Sequence, residues 1–349
     1  MYLEKLTLEK YRLFESVTVD FHKHLTVLTG DSGVGKTTIL EGASAALSTI
    51  FVKMDNLRGY SIKKSDAHLI SETQVSNTDM QAQYPIRILA RGSINGEMIE
   101  WSRCLNTPKG STTYCDAKEL LAISERMQKR LRQGDTSLRL PLIAYYGAAR
   151  SWSDSKKKKA RPCQVNSRTN GYINCLDGSV DLQLMMAWFQ KMTIQKYQRH
   201  ERGLPSVPEL DAVYQAMKDC FACLEGFQNA NILYSLNKNE LEICSADDKD
   251  TRIALSQLSA EYKEVIEIVA DIAYRMATLN PQLLDRTIKE TEGIVLIDEF
   301  GAYLQSSLQK HIVTDLLHIF PQIQFIISSN SSEIINSVSN GSIVELKRR

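Results

Sequence analysis

The amino-acid sequence predicts an α/β fold with a mixed, mostly parallel central sheet, an antiparallel β element at the N terminus and an inserted helical lobe. Three features support this prediction: alternating apolar residues near the N terminus, a glycine-rich loop between an apolar run and a helical segment, and two later apolar runs separated by a helical segment. Runs that are apolar on both faces and alternate with helices are typical of a parallel sheet covered on both sides. The chain has 349 residues, 43% of them hydrophobic, which is enough for one large domain or two lobes.

The N-terminal segment has the pattern of β-strands. Apolar and polar residues alternate at 17–21, and a short apolar run at 25–28 leads into the glycines. Two further strand-like runs within 84–104 are joined through Asn95 and Gly96, a dipeptide that is typical of hairpin turns. Because two strand patterns, at 17–21 and 25–28, precede the glycine-rich loop, the loop follows a later strand and not the first one.

The middle of the chain changes from strand patterns to helical ones. A helical stretch at 117–133 precedes an apolar strand candidate at 140–150. The composition becomes basic and polar at 153–170, which we expect to be a surface loop, and the spacing is mostly helical over 181–228. Strand, helix and strand patterns follow again over 293–330.

The net charge and the apolar runs limit the classes of function. The formal net charge is +1, so attraction to nucleic acid would have to come from a local patch. No apolar run is long enough to span a bilayer, and the first residues are charged where a signal peptide would be apolar. We therefore expect no membrane association and a cytoplasmic protein.

The glycine-rich loop at 30–37 matches the Walker A pattern G-x-x-x-x-G-K-T. Backbone N–H groups of such a loop surround phosphates at a helix N terminus. Lys36 would meet the β- and γ-phosphates of ATP, and the hydroxyl of Thr37 would ligate Mg²⁺. The alternative is a glycine-rich turn that happens to precede a helix. The residues predicted to bind nucleotide in this loop are Gly30, Ser32, Gly33, Val34, Gly35, Lys36, Thr37 and Thr38.

A second motif, Ile-Val-Leu-Ile followed by Asp298 and Glu299, has the pattern of a Walker B strand. A carboxylate at the tip of a buried strand can hold Mg²⁺, which would be the role of Asp298. Glu299 could orient or deprotonate the attacking water. An apolar strand followed by an acid is common, and it is the Walker A loop upstream that favours the catalytic interpretation.

The seven cysteines show no pairing rhythm, and we expect reduced thiols. Cys220 and Cys223 form one C-x-x-C pair, but a zinc site would need a second pair of ligands, and the histidines offer none nearby in the sequence. Two ordinary buried thiols are the preferred interpretation.

The sequence resembles the ABC-type ATPases of the RecF and SMC kind. It shares with them the two Walker motifs, the strands before the loop and the adjacent Asp-Glu pair. The sequence is more similar still to the compact defence ATPases typified by PtuA of the Septu system. The resemblance extends over most of the chain, from LTLEKYRLFESVTVDF to IVLIDEFGAYLQSSLQKHIV and IQFIISSNSSEII. It implies an ABC-type P-loop ATPase head that uses ATP and Mg²⁺, with composite nucleotide sites across a head-to-head dimer.

The resemblance also implies a division of the chain into three parts. Residues 1–150 would form an N-terminal ATPase lobe with Walker A, residues 151–250 a basic loop and an inserted helical subdomain, and residues 251–349 a C-terminal ATPase lobe with the signature-like motif and Walker B.

In such dimers one subunit supplies both Walker motifs and the other supplies a signature serine. LSQLSAEYK implies Ser259 in that role, just before a helical pattern, whereas the residues alone favour an ordinary helix N-cap. This chain has Glu261 where the family usually has glycine, and Asn330 where the family commonly has a histidine that senses the γ-phosphate. Because asparagine cannot carry the proton or charge of histidine, ATP binding is better supported than rapid turnover.

One basic cluster stands out, made of four adjacent lysines with Arg161 and Arg168 beyond them. The lysines are Lys156, Lys157, Lys158 and Lys159. Such a cluster neutralises phosphates without reading bases, so it would make salt-sensitive and sequence-indifferent contacts with nucleic acid. A solvated loop is the alternative interpretation.

The leading hypothesis is a slowly hydrolysing ATPase that forms homodimers or larger assemblies and controls a separate effector nuclease in anti-phage defence. The sequence contains no His-Asn-His cluster, so the resemblance implies a partner of the HNH endonuclease type, with a retron reverse transcriptase and its RNA-DNA product as further candidates. The alternatives are a RecF-like repair ATPase that acts directly on DNA and a scaffold that binds ATP without hydrolysing it. A transporter subunit fits least well, because LSAEY departs from the glycine-rich signature of transporters.

Overall fold

The computed structural model describes residues 1–74, 77–114, 116–148, 167–222, 230–244 and 252–347. The strands are β1 Tyr2–Tyr11, β2 Phe14–Asp20, β3 Leu25–Thr29, β4 Leu69–Gln74, β5 Asn77–Ala82, β6 Ile86–Ile94, β7 Glu97–Leu105, β8 Leu142–Tyr146, β9 Asn231–Ser235, β10 Glu240–Cys244, β11 Arg252–Ala254, β12 Gly293–Ile297, β13 Ile323–Ser328 and β14 Ser342–Glu345. The α-helices are α1 Lys36–Leu47, α2 Lys118–Arg132, α3 Leu182–Glu201, α4 Pro208–Ala222, α5 Ala260–Leu279, α6 Thr287–Glu290, α7 Ser306–Gln309, α8 Ile312–Ile319 and α9 Ser332–Asn336.

Five strands form the central sheet in the order β14-β3-β13-β12-β8, and every neighbouring pair is parallel. All residues of β8, β12 and β13 are buried, as expected for strands covered on both faces. Because the strands are parallel, the carboxyl ends of β3, β13 and β12 lie at one edge of the sheet. The predicted α/β fold is confirmed, and this edge positions the site described below.

A second sheet, with the order β2-β1-β6-β7, is antiparallel throughout. The predicted hairpin between β6 and β7 is present, and Asn95 and Gly96 at its tip have φ of 53° and 84°. Both values lie in the left-handed region that a two-residue primed turn requires. The sequence predicts a central sheet with mixed, mostly parallel pairing. In the structure the central sheet is entirely parallel, and these antiparallel pairs belong to a separate sheet.

Helix α1 lies between the two sheets and contacts β1, β6 and β7 of one and β12 and β13 of the other. Gly42 permits this packing, since a Cβ there would lie 2.7 Å from a methyl group of Leu8. A buried side chain, Gln324 at the start of β13, joins the sheets directly: its amide exchanges hydrogen bonds of 2.7 Å with both the N–H and the carbonyl of Leu3. The helix that begins at the glycine-rich loop is therefore held on both sides.

The predicted helical stretch after residue 181 contains α3 and α4, and α4 packs against α5. Two small sheets were not predicted from the sequence, the hairpin β4-β5 and the three-stranded sheet β11-β10-β9. The three-stranded sheet leads through a short 3-10 helix, Leu255–Gln257, into α5. The division of the chain at residues 150 and 250 stays a prediction.

Candidate nucleotide site

The glycine-rich loop runs from the end of β3 to the start of α1. Gly30, Gly33 and Gly35 have φ of 132°, 82° and 102°, a region that residues with a Cβ rarely adopt. A Cβ on Gly30 would lie 2.3 Å from the carbonyl oxygen of Leu346, and one on Gly35 would lie 2.4 Å from the ring of Phe14. Conformation and close packing therefore both require glycine at positions 30 and 35.

The Lys36 side chain folds back over this loop. Its Nζ donates hydrogen bonds to the backbone carbonyls of Gly30 and Asp31, the latter at 3.0 Å. The N-cap of α1 is Gly35, so no side chain makes a capping hydrogen bond to the first turn of the helix. The loop therefore offers an ammonium group and uncapped backbone N–H groups to an anion.

The other predicted loop residues differ in exposure. The side chains of Val34 and Thr38 are buried, at 3% and 9% exposure, so these residues can offer a ligand only their backbone N–H groups. Ser32 and Thr37 are exposed. Thr37 is thus the loop hydroxyl that faces outward at the start of α1.

Asp298, directly after β12, is fully buried and lies against the loop. Its Oδ2 accepts a hydrogen bond of 2.7 Å from Thr37 Oγ1, and its Oδ1 accepts one of 2.6 Å from Ser328 Oγ. The parallel sheet explains this meeting, because β3, β13 and β12 are neighbours and end at the same edge. Ser328 was not singled out from the sequence; the only signal is a hydroxyl at the end of the apolar run IQFIISS.

The Thr37 hydroxyl and the Asp298 carboxylate fit the protein share of a Mg²⁺ site. Mg²⁺ prefers hard oxygen ligands and is bound through one or two protein groups together with waters and phosphates. Because Thr37 donates its hydrogen to Asp298, its oxygen lone pairs remain available to a cation. Within the described residues there is no cluster of three or more His, Cys, Asp or Glu side chains positioned for a metal ion.

Glu299 and Asn330 lie at the same edge of the sheet, and both are exposed. The backbone N–H of Glu299 donates to Ser328 Oγ at 2.8 Å, and its φ of 47° is left-handed. A non-glycine residue in this conformation stores local strain, which is common at functional sites. Asn330 follows β13 by two residues, between the strands that carry the two Walker motifs. The structure thus gathers the Walker residues and Asn330 at one edge.

Ser259 is placed by α5 and the three-stranded sheet, and not by the central sheet. It occupies the N-cap position of α5, is exposed, and has φ of −58° and ψ of 152°. An ordinary N-cap serine accepts a hydrogen bond from the first turn of its helix, but the Ser259 side chain accepts none there. Glu261 is half-buried in the first turn of the same helix.

A buried network beside Walker B was not predicted from the sequence. The backbone N–H of Asp298 donates to the carbonyl of Tyr146, the last residue of β8, at 2.8 Å. The hydroxyl of Tyr146 donates to Asp271 Oδ2 on α5 at 2.7 Å, and Arg275 Nε donates to the same oxygen at 2.7 Å. Burial and the neighbouring carboxylate hold the pKa of Tyr146 well above its ordinary value.

The prediction for Arg168 as part of the basic cluster is wrong. Its side chain is half-buried, and its guanidinium donates hydrogen bonds to the carbonyls of Leu279, at 2.7 Å, and of Leu138. Arg168 therefore connects the end of α5 to the segment that precedes β8. Burial lowers the pKa of Arg168. The four adjacent lysines and Arg161 lie outside the described residues.

The cysteines and the helices bear on two further expectations. Four of the described cysteines form no disulfide: Cys104, Cys175, Cys220 and Cys244. Cys223 lies outside the described residues, so the interpretation of the C-x-x-C pair stays a prediction. Among the described helices, none combines the length and the apolar character that a membrane span requires.

Comparison with known proteins gives a family for this chain. A model of the AAA domain family matches residues 5–267. The chain is 24% identical to the Escherichia coli protein named "Retron Ec83 probable ATPase", over 97% of this chain and 70% of that protein. It is also 24% identical to "Retron Vc95 probable ATPase" of Vibrio cholerae, over 98% of this chain and 72% of that protein.

Among solved structures, an SMC head bound to the C-terminal winged-helix domain of ScpA is similar over 100% of this chain and 95% of that chain. The TM-score is 0.55 and the sequence identity 16%, so this likeness concerns the fold. Its SMC-head architecture agrees with the parallel sheet and the antiparallel sheet described above. The chain therefore belongs to the AAA domain family and is an ATPase with the fold of an SMC head.

Proposed function

We propose that this chain binds Mg-ATP, hydrolyses it slowly, and uses ATP occupancy to control a separate effector nuclease in retron-type anti-phage defence. The observation that carries the proposal is the 2.7 Å hydrogen bond between Thr37 and Asp298, which joins the loop for phosphates to the carboxylate for Mg²⁺. The two relatives named retron probable ATPases support the defence context.

Each residue at the sheet edge has a role in this proposal. Lys36 contacts the β- and γ-phosphates, Thr37 and Asp298 hold Mg²⁺, and the metal neutralises phosphate charge. Glu299 orients the attacking water, and its exposure leaves room for that water. The γ-phosphate contacts Asn330 of the same subunit and Ser259 of the partner subunit. The phosphates as a whole contact the residues of the glycine-rich loop, which are Gly30, Ser32, Gly33, Val34, Gly35, Lys36, Thr37 and Thr38.

Slow hydrolysis follows from two residues of the composite site. Asn330 can donate a hydrogen bond to the γ-phosphate but cannot take up a proton at neutral pH. Glu261 adds a negative charge in the first turn of α5, close to the position proposed for the γ-phosphate of the partner subunit. A long-lived ATP state suits a regulator whose nucleotide acts as a signal.

The assembly proposed here is a homodimer or a larger homo-oligomer. Ser259 supports it, because an exposed serine whose side chain makes no cap bond can receive a phosphate from a facing subunit. We propose that DNA cleavage resides in another protein of the HNH endonuclease type, and that a retron reverse transcriptase with its RNA-DNA product joins the complex.

The experiment compares the purified chain with the complex that co-purifies from cells expressing the neighbouring genes. The chain alone should hydrolyse ATP feebly and leave plasmid DNA intact, and cleavage by the complex should change with ATP concentration. Glu299→Gln should bind Mg-ATP, slow turnover further and accumulate as a dimer, whereas Glu100→Gln, an exposed carboxylate on β7, should behave as the wild type. Robust DNA cleavage by the chain alone, or a complex indifferent to ATP, would overturn the proposal.

Direct action on DNA, as in a RecF-like repair ATPase, is the second candidate, and a structural ATP-binding scaffold is the third. The four adjacent lysines favour contact with nucleic acid. Replacing them with serines should weaken binding equally across sequences and flatten its salt dependence, by up to ~0.9 log unit per lost phosphate contact on duplex DNA. DNA-stimulated ATP hydrolysis by the chain alone would favour the repair ATPase, and ATP binding without any turnover in the complex would favour the scaffold.

A further inference from the structure

A buried polar network connects the helix that carries Ser259 to the strand that carries Asp298. Asp271 and Arg275 of α5 and Tyr146 of β8 are each at most 1% exposed. Tyr146 and Arg275 both donate to Asp271 Oδ2 at 2.7 Å, and Arg275 Nη1 also donates to the carbonyls of Gly171 and Ile173, at 2.8 and 2.9 Å. The network therefore joins α5, β8 and the turn that precedes α3.

From Tyr146 the connection continues to the nucleotide loop. Tyr146 is paired with Ile297, and its carbonyl accepts the backbone N–H of Asp298 at 2.8 Å. The Asp298 carboxylate accepts the hydroxyl of Thr37 at the start of α1. Consecutive contacts thus extend from the interior of α5 to Thr37, which would hold Mg²⁺ in the proposed function.

The Tyr146 hydroxyl is the contact that attaches α5 to the sheet through this network. Asp271 and Arg275 are four residues apart on one helix, so their ion pair alone does not fix the helix against β8. Burying charged groups is costly, and apolar side chains of the same volume would pack at least as well. This buried network therefore fits a role in fixing the position of α5 better than a role in stability alone.

We propose that Tyr146 and Asp271 are positioning residues that couple the nucleotide state of one subunit to the Ser259 it offers to the other. Ser259 precedes Asp271 by twelve residues, or roughly 18 Å along a helix, and an intact helix transmits a shift of Asp271 to its N terminus. Mg-ATP binding acts on Asp298, hence on the end of β8 and on Asp271. The two composite sites of a dimer then bind ATP cooperatively. This inference rests on the proposed function.

The test compares Tyr146→Phe with Tyr274→Phe. Tyr274 lies on α5, the helix that carries Asp271, and is 3% exposed. Its hydroxyl has no hydrogen-bond partner in the described structure, so removing that hydroxyl costs no hydrogen bond. Both changes are made in the Glu299→Gln background, and Mg-ATP binding and dimerisation are measured by fluorescent-nucleotide titration and sedimentation. The parent and Tyr274→Phe should bind with a Hill coefficient between 1 and 2, and Tyr146→Phe should bind with a coefficient of about 1.

Hydrogen-deuterium exchange supplies a measurement that does not need the dimer. At protein concentrations where the chain is monomeric, Mg-ATP should slow exchange at 255–263 in the wild type and in Tyr274→Phe, but not in Tyr146→Phe. Equal exchange and equal Hill coefficients in the two tyrosine variants would overturn the coupling while leaving the proposed function intact. A Glu299→Gln parent that stays monomeric with saturating Mg-ATP would overturn the composite site and the coupling together.

Discussion

Thr37 and Asp298 are 261 residues apart in the chain, yet the hydroxyl of Thr37 donates to the carboxylate of Asp298 at 2.7 Å. Three neighbouring parallel strands that end together produce this contact, since β3 leads into α1 and β12 ends just before Asp298. Ser328 at the end of the middle strand donates to the other oxygen of the same carboxylate. The carboxylate is therefore oriented by the protein itself, which would reduce the cost of forming the proposed Mg²⁺ site.

Asp298→Asn should remove the effect of Mg²⁺ on ATP binding. The amide can keep hydrogen bonds to Ser328 or Thr37, but it lacks the charge that attracts Mg²⁺. We expect ATP affinity in Mg²⁺ to fall on the order of 10- to 100-fold, with affinity in EDTA unchanged. Calorimetric titration with and without Mg²⁺ checks this, with Asp285→Asn, an exposed carboxylate, as the control. Undiminished Mg²⁺ dependence in Asp298→Asn would contradict the assignment.

Lys36→Ala should abolish measurable nucleotide binding. The variant loses the ammonium group that folds over the loop and would otherwise contact two phosphates. Loss of charge-assisted hydrogen bonds worth about 3 kcal/mol or more corresponds to at least ~100-fold in affinity. Lys53→Ala, an exposed lysine shortly after α1, is the matched control. Equal ATP affinity of Lys36→Ala and the wild type by calorimetry would rule out the Walker A assignment.

The sequence predicted the glycine-rich loop between a strand and a helix, and the buried strand before Asp298, because both are local patterns with a fixed spacing. It did not predict Ser328 or Tyr146 as partners of Asp298, because those contacts depend on which strands become neighbours in the sheet. Arg168 was assigned to a basic surface cluster by its sequence position, whereas the fold turns its guanidinium towards the end of α5. Long-range pairing of polar groups is set by the tertiary structure, and a single sequence carries little signal of it.

The hairpin β4-β5 and the sheet β11-β10-β9 show a second limit. Their strands are three to six residues long, and β4 and β5 carry polar residues at most positions. β4 and β5 therefore lack the apolar alternation that identifies a half-buried strand. Apolar residues do alternate in β10 and occupy the middle of β9, but each of these strands has only five residues, and β11 has three. Segments this short carry too few positions to establish a strand pattern from the sequence.

Arg103 of β7 should be essential for stability. Its guanidinium is fully buried and donates to neutral acceptors, including the carbonyl of Ala45 at 2.8 Å and the hydroxyls of Ser48 and Tyr114 at 2.9 Å. Ala45 lies in the last turn of α1, where the helix dipole favours a cation. We expect Arg103→Leu to lower the free energy of unfolding by about 2–4 kcal/mol, because several buried acceptors lose their donor.

Urea denaturation measures this effect, and Arg103→Lys should recover only part of the loss because an ammonium group cannot reproduce the guanidinium fork. Arg87→Lys on the neighbouring strand β6, where the side chain is half exposed, should change the free energy of unfolding by less than about 0.5 kcal/mol. If Arg103→Leu unfolded at the same urea concentration as the wild type, the buried guanidinium would contribute nothing to the stability of the protein.

Glu267 on α5 should make the protein less stable as the pH rises. The side chain is 5% exposed, and burial raises its pKa to about 9, with smaller effects from Lys263, Asp271 and Glu264. The folded state therefore binds this proton more tightly than the unfolded chain does. The contribution of Glu267 to the free energy of unfolding is most favourable below the unfolded pKa of 4.5, and it is lost progressively as the pH rises to about 9. Glu267→Gln, which cannot ionise, should raise the free energy of unfolding more at about pH 8 than at about pH 6, by a difference on the order of 2–3 kcal/mol. Urea denaturation across this range checks the sign, with the exposed Glu125→Gln as the control. A constant difference between Glu267→Gln and the wild type at all pH values would mean that Glu267 keeps an ordinary pKa in the folded protein.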